Sequence, residues 1–191
     1  MQLELFRTNC SHLPIHYSGS KKKAAPHIIK YFPPINEIIS PFIGGGGLEI
    51  ALTQRNIKVY GYDKLKHLVN MWQYVLKDSN KMINYVQNNL ESLDLEECNI
   101  LSEQLNKDLI ECNFEGACIY WFLVWRCFRN NPFMLCYQKQ QKGIPYWRLK
   151  DYHNDLLTIN YGDFEESLSN HSDIFAYLDP PYPNVGQLYG P

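Results

Sequence analysis

The feature that most constrains the fold of this chain is a strand, a glycine loop, a helix and a second strand within residues 35–63. Ile35–Ile39 predicts a buried strand that leads into the loop Phe42-Ile-Gly-Gly-Gly-Gly47. Leu48–Arg55 predicts the helix, and Lys58–Asp63 predicts a second strand that ends in a carboxylate. This order is typical of a βαβ unit with parallel strands. The chain is therefore predicted to be an α/β protein.

Four further segments have the pattern of regular structure. Ala24–Phe32 predicts a short helix, Leu65–Leu90 a longer amphipathic helix, and Leu156–Asn160 and Ile174–Leu178 two more strands. A whole βαβ unit takes roughly 30 residues, whereas residues 64–155 separate the second predicted strand from the third. This interval predicts an inserted module.

The glycine loop does not match the dinucleotide fingerprint G-x-G-x-x-G, because the third glycine position falls on Glu49 or Ile50. Asp63 follows the loop at a position from which its carboxylate can accept hydrogen bonds from ribose hydroxyls. The pattern predicts a ligand that contains a nucleoside but no pyrophosphate. The alternative is that the glycines form only a flexible turn.

The tetrad Asp179-Pro-Pro-Tyr182 follows the last predicted strand. Two consecutive prolines restrict the backbone and remove two N–H donors, so the turn presents carbonyl groups and a carboxylate. At the carboxyl end of a parallel strand this turn predicts a pocket for an exocyclic amino group on an aromatic base, with Tyr182 as a flat wall. The alternative is a proline turn after an edge strand.

The charge of the chain is distributed unevenly. The net charge is −2, yet residues 116–150, called here the basic aromatic segment, contain six basic residues and no acidic one. Nine aromatic residues lie among those cations. This composition is compatible with a buried β-rich core with solvated charges, and also with a module that contacts nucleic acid.

Other classes of protein fit the sequence poorly. The longest apolar run, Ala117–Trp125, is far shorter than the roughly 20 residues that span a bilayer. The first residues lack the pattern of a secretory signal, so we expect a cytoplasmic protein whose six cysteines are thiols. No Cys-x-x-Cys pair is present, and no metal site is expected.

Five motifs, taken in this order, resemble those of the Dam-like N6-adenine DNA methyltransferases, from about Tyr17 to Tyr189. They are Tyr17-Ser-Gly-Ser-Lys21, Pro41-Phe-Ile-Gly-Gly-Gly46, Asp63, Asp163-Phe164 and Asp179-Pro-Pro-Tyr182. The resemblance implies a Rossmann-like methyltransferase sheet. Residues 1–63 and 156–191 would form the catalytic core that binds S-adenosylmethionine, and residues 64–155 would form an inserted helical and aromatic-basic DNA-recognition module.

The same resemblance implies roles for individual residues. The cofactor would be bound by Tyr17, Lys21, Phe42, Gly44, Gly46, Asp63, Asp163 and Phe164. The catalytic residues would be Asp179, Pro180, Pro181 and Tyr182. The residues implied to contact DNA are Arg126, Arg129, Asn130, Lys139 and Lys142.

The activity that the resemblance implies is site-specific transfer of the methyl group of S-adenosylmethionine to N6 of an adenine flipped out of double-stranded DNA, without a metal. An RNA adenine and N4 of cytosine are alternative targets. The family usually has an acidic residue where this chain has Ser40, and it continues past the tetrad with more strands. We therefore expect a sheet that is incomplete on its C-terminal side, and an inactive fragment that binds DNA or needs a partner is the other reading. Restriction–modification, viral and housekeeping roles remain open.

Overall fold

The computed structural model of the chain describes residues 12–136 and 143–181. Its centre is a three-stranded parallel sheet in the order β1-β2-β3. The strands are β1 Glu37–Ser40, β2 Lys58–Asp63 and β3 Leu157–Tyr161. Ile38, Val59 and Leu157 lie side by side across the sheet and are buried. The predicted α/β class and the parallel arrangement are confirmed.

A fourth segment lies beside β1. The amide of Ile39 donates to the carbonyl of Phe175 at 3.0 Å, and the amide of Tyr177 donates to the carbonyl of Ile39 at 2.9 Å. Ile39 and Ala176 form a single parallel bridge, so the prediction of a full strand at Ile174–Leu178 is wrong in its extent. At the C-terminal end of this pairing the physical reason is Pro41, which follows β1 and has no N–H to extend the ladder. The bridged segment nevertheless brings Asp179 to the carboxyl edge of the sheet.

The described part of the chain contains six α-helices, of which α2, α3 and α6 pack against the sheet. They are α1 Ala25–Ile28, α2 Gly47–Thr53, α3 Lys66–Asn89, α4 Leu95–Asn106, α5 Phe114–Arg126 and α6 Phe164–Ser169. The sequence analysis did not predict helix α4, which begins with a capping box. The Asp94 side chain accepts a hydrogen bond from the backbone N–H of Glu97, and the Glu97 side chain accepts one from the backbone N–H of Asp94. Helix α3 has a kink at Asp78, where the backbone leaves the helical region.

The basic aromatic segment begins as a helix, so its interpretation as a β-rich core is wrong. Within α5, the side chains of Tyr120, Trp121 and Phe122 are at most 1% exposed. The indole N–H of Trp121 donates to the carbonyl of Pro14 at 2.9 Å. An apolar run that is buried on nearly all sides suits a helix enclosed by other elements. These three rings are therefore core residues, and they are not available to stack on bases.

Helix α3 follows β2 and packs against both the sheet and α5. Its Gln73 side chain donates to the carbonyl of Ile159 in β3 at 3.0 Å. The division of the chain at residue 64 into a core and an inserted module stays a prediction, since α3 contacts both parts. Among the described residues, no helix has the length and apolarity needed to cross a membrane.

Candidate active site

A cavity of about 560 Å³ lies at the carboxyl edge of the sheet. Nearly all the described residues that were predicted to bind cofactor or to act in catalysis line it: Tyr17, Lys21, Phe42, Gly44, Asp63, Asp163, Phe164, Asp179, Pro180 and Pro181. Gly46 is not among the lining residues, and Tyr182 lies outside the described part of the chain. Motifs from distant parts of the sequence thus meet in one cavity.

The glycine loop is held in a defined conformation. Gly44 has a positive φ of 47°, its amide donates to Asp63 Oδ2 at 3.0 Å, and its carbonyl accepts the indole N–H of Trp72 at 2.9 Å. Gly46 also has a positive φ, and a Cβ atom there would lie 2.9 Å from the Trp72 ring. These contacts indicate that both glycines are required by the backbone path and by close packing.

Tyr17 closes the cavity over this loop. A Cβ atom at Gly45 would lie 2.5 Å from Tyr17 Cβ, which is closer than non-bonded carbon atoms approach. A Cβ atom at Gly47 would lie 2.6 Å from the hydroxyl oxygen of Ser20. The backbone of the glycine loop therefore packs directly against side chains of the turn before α1. This packing leaves no space for a larger residue at Gly45 or Gly47.

Asp63 ends β2 and faces the cavity. In addition to the Gly44 amide on Oδ2, its Oδ1 accepts the amide of Leu65 at 2.9 Å. Burial raises the pKa of the Asp63 carboxyl, and the hydrogen bonds from backbone amides partly oppose that rise. A carboxylate has about four acceptor positions, so acceptor capacity remains for a ligand hydroxyl.

Asp179 and Lys21 form an ion pair inside the cavity. Lys21 Nζ lies 2.5 Å from Asp179 Oδ2, and each side chain is 22% exposed. Lys21 Nζ also donates to the carbonyl of Gly19 at 3.0 Å. Among the described residues no hydrogen bond engages Oδ1, so this oxygen is available to an N–H donor of a ligand.

The opposite end of the cavity carries two aromatic rings. Phe42 and Phe164 are nearly parallel, with ring centroids 5.9 Å apart and an interplanar angle of 24°. Asp163 Oδ1 caps α6 by accepting the amide of Glu165 at 2.9 Å, and its Oδ2 lies 3.7 Å from Lys64 Nζ. Flat apolar surface beside a carboxylate suits an aromatic base that carries N–H donors.

The sequence analysis missed Glu49 as a site residue. This residue lines the cavity from the first turn of α2 and is 3% exposed. Its Oε1 accepts a hydrogen bond from the hydroxyl of Ser40 at 2.7 Å. Burial raises the pKa of the Glu49 carboxyl to about 7, against the opposing effect of the hydrogen bond from Ser40. One signal was available in the sequence: Glu49 is the only charged residue between Ile38 and Gln54.

The lining of the cavity is rich in carboxyl groups. Its lining includes the carboxyl groups of Glu49, Asp63, Asp163 and Asp179, which suit a cationic ligand with ribose hydroxyls. The hydroxyl oxygen of Ser20 lines it too and is buried without a hydrogen-bond partner among the described residues. An orphaned polar atom of this kind points to a ligand that completes the site.

Of the residues predicted to contact DNA, Arg126 ends α5 and Arg129 and Asn130 follow it, and none of these three lines the cavity. The Arg126 guanidinium donates to the carbonyl of Glu91 at 2.9 Å, and the side-chain amide of Asn130 donates to the carbonyl of Val124 at 2.9 Å. Arg129 has a positive φ and an exposed side chain whose guanidinium lies 5.1 Å from the Phe128 ring. Lys139 and Lys142 lie outside the described residues.

The chain was compared with models of known protein families. The model of the D12 class N6 adenine-specific DNA methyltransferase family matches residues 17–187. No curated protein matches the chain. The match covers every motif on which the resemblance was based. Within the described ranges, no cluster of three or more His, Cys, Asp or Glu residues could hold a metal ion.

Proposed function

Because the chain belongs to the D12 class of N6 adenine-specific DNA methyltransferases, we propose that the cavity binds S-adenosylmethionine and receives an adenine turned out of the DNA duplex. The observation that carries the proposal is the convergence of the separate motifs on one cavity at the carboxyl edge of the sheet. Ligands of open α/β sheets bind at that edge.

Asp179 and Pro180 have the central role in the proposed reaction. The lone pair of adenine N6 is delocalised into the ring, so the amine is a weak nucleophile. Asp179 Oδ1 and the Pro180 carbonyl accept hydrogen bonds from the two N6–H groups. These hydrogen bonds localise the lone pair and stabilise the positive charge that develops on nitrogen. Lys21 holds Oδ2 and so orients the carboxylate. When bound, S-adenosylmethionine would supply a methyl group on a positively charged sulfur. The N–C bond would form as the S–C bond breaks, leaving S-adenosylhomocysteine, and N6 would then lose one proton from the N–H that faces Asp179 Oδ1.

The order of the strands suggests how the cofactor lies in the cavity. From the bridged segment across the sheet, the cavity residues are Asp179, then Glu49 beside the end of β1, then Asp63 after β2, then Asp163 after β3. We place the cofactor adenine near Phe164, the ribose at Asp63 and the methionine portion beside β1. The transferable methyl group then faces Asp179.

An adenine inside a duplex cannot enter a cavity, so base flipping is part of the proposal. Tyr182 would stack on the flipped base. Arg129 has the exposed guanidinium that a phosphate contact requires. The hydrogen bonds that the side chains of Arg126 and Asn130 donate to backbone carbonyls stabilise the turn that carries it. Lys139 and Lys142 add basic charge to the same segment of the sequence.

The test is transfer of labelled methyl from S-adenosylmethionine to duplex DNA, followed by digestion to nucleosides. We expect label in N6-methyladenine, and its loss in Asp179→Ala with cofactor affinity nearly unchanged. Asp173→Ala is the matched control, since Asp173 is exposed in the same part of the chain and does not line the cavity. Normal transfer by Asp179→Ala, or label in another nucleoside, would contradict the proposal.

A further inference from the structure

We propose that the carboxylate of Glu49 binds the α-ammonium group of the methionine portion of S-adenosylmethionine. The inference rests on the proposed function, because it assigns one more contact within the same cavity. It concerns a residue that belongs to none of the five motifs on which the resemblance was based.

The first argument is that, among the described residues, the carboxylate of Glu49 has no positively charged partner. The described contacts of its carboxyl are the hydroxyl of Ser40 at 2.7 Å and the backbone amides of Leu48 and Glu49 itself. The nearby charged groups are Asp179, which repels it, and Lys21, which is paired with Asp179. A buried carboxylate without a counter-ion is costly. A cationic group that enters the cavity would remove that cost.

The second argument is the position of Glu49. Ser40 ends β1, and Glu49 sits against it at the start of α2, between Asp179 on one side and Asp63 on the other. An elongated ligand with its ribose at Asp63 and its methyl group toward Asp179 has its amino-acid portion in this part of the cavity. The only cationic group that S-adenosylmethionine carries there besides its sulfonium is the α-ammonium.

The third argument predicts a proton linkage. In the free protein the pKa of Glu49 is about 7, and an ammonium group beside it favours the ionised form. Binding at pH 6 therefore releases about one proton, and binding above pH 8 releases almost none. The groups that face this carboxyl are Ser40 from β1, Asp179 from the bridged segment and the amides of its own helix. Of these only Asp179 carries a charged side chain, and the cation beside it, Lys21, is paired with Asp179.

The experiment is calorimetry with S-adenosylhomocysteine, which carries the same α-ammonium group, and with its analogue that lacks the α-amino group. At pH 8 we expect Glu49→Gln to weaken S-adenosylhomocysteine binding by tenfold or more and to leave binding of the deaminated analogue within twofold. At pH 6, titrations in buffers of different ionisation enthalpy should show proton release for the wild type and none for Glu49→Gln. Glu96→Gln, an exposed residue on α4, is the control.

The outcomes separate this inference from the proposed function. Failure of the wild-type protein to bind S-adenosylhomocysteine would overturn both. Binding by the wild type with equal affinity in Glu49→Gln, or an equal loss for both ligands, would overturn the role of Glu49 alone. If Glu49→Gln does not fold, Ser40→Ala provides the second test: it removes the hydroxyl that stabilises the ionised carboxyl, so proton release should persist and extend to higher pH. Unchanged proton release in Ser40→Ala would contradict the linkage.

Discussion

Replacing Glu49 with Gln should stabilise the ligand-free protein in a pH-dependent way. The native carboxyl keeps its proton up to about pH 7, whereas the unfolded carboxyl loses it near 4.5. Because the native state holds more protons between these values, the free energy of unfolding falls as pH rises through that range. Gln cannot ionise, and its side-chain oxygen can still accept a hydrogen bond from the hydroxyl of Ser40.

The magnitude follows from the same two pKa values. A difference from 4.5 to about 7, at about 1.4 kcal/mol per pKa unit, gives a cost of about 3 kcal/mol for ionised Glu49 at pH 8. Glu49 is 3% exposed, so solvent screens little of this cost. For a chain of this size, 1 kcal/mol changes Tm by roughly 2–4 °C. We therefore expect Glu49→Gln to raise Tm by roughly 6–12 °C at pH 8 and to leave it nearly unchanged at pH 4.5.

The measurement is thermal unfolding followed by circular dichroism at several pH values without ligand. Glu96→Gln should change the free energy of unfolding by less than about 0.5 kcal/mol, as expected for an exposed position. Equal Tm values for wild type and Glu49→Gln at pH 8, or a difference that does not vary with pH, would refute the reasoning. When a residue binds a ligand at a cost in stability, its substitution stabilises the ligand-free protein and weakens ligand binding.

Three other perturbations test the site and its surroundings. Asp63→Ala removes the acceptor assigned to the ribose and should weaken S-adenosylhomocysteine binding by tenfold or more in calorimetry; unchanged affinity would contradict that role. Gly45→Ala places a Cβ 2.5 Å from Tyr17 Cβ and should lower stability by about 1–3 kcal/mol in denaturant unfolding, whereas Gly143→Ala, whose Cβ would meet nothing within 4 Å, should leave it unchanged. Arg129→Ala should weaken duplex DNA binding and reduce the salt dependence of log K by about one, with S-adenosylhomocysteine affinity intact; an unchanged salt slope would exclude a phosphate contact.

Local pattern was sufficient to predict the centre of the fold. Strand β2 spans Lys58–Asp63, as the alternation of apolar residues and the terminal carboxylate predicted. The segment before the tetrad also has a strand pattern, yet it forms only one bridge. Its pairing depends on the neighbour, and β1 is followed by Pro41, which cannot continue the ladder. The periodicity of one segment does not show whether the neighbouring strand has the N–H groups needed to pair with it.

The candidate site also contains some residues that could be predicted from the sequence and one that could not. The motifs at Tyr17 and Asp179 could be identified from the sequence because their residue types and order are distinctive, and both line the cavity. The isolated charge of Glu49 was only a weak signal of a site residue, since an acidic residue in the first turn of a helix usually interacts with the helix dipole and solvent. Its burial depends on how α2 packs against β1, which is a tertiary property.

The bridge between Ile39 and Ala176 has a consequence for synthesis of the protein on the ribosome. β1, β2 and the glycine loop emerge long before Phe175–Tyr177, so in the nascent chain the polar backbone groups of Ile39 on that side have no strand partner. Unpaired edges of this kind promote association between chains. The arrival of the later segment pairs this edge and delivers Asp179 to Lys21 in one step. Protection of the nascent sheet against self-association and completion of the cavity are therefore the same folding event.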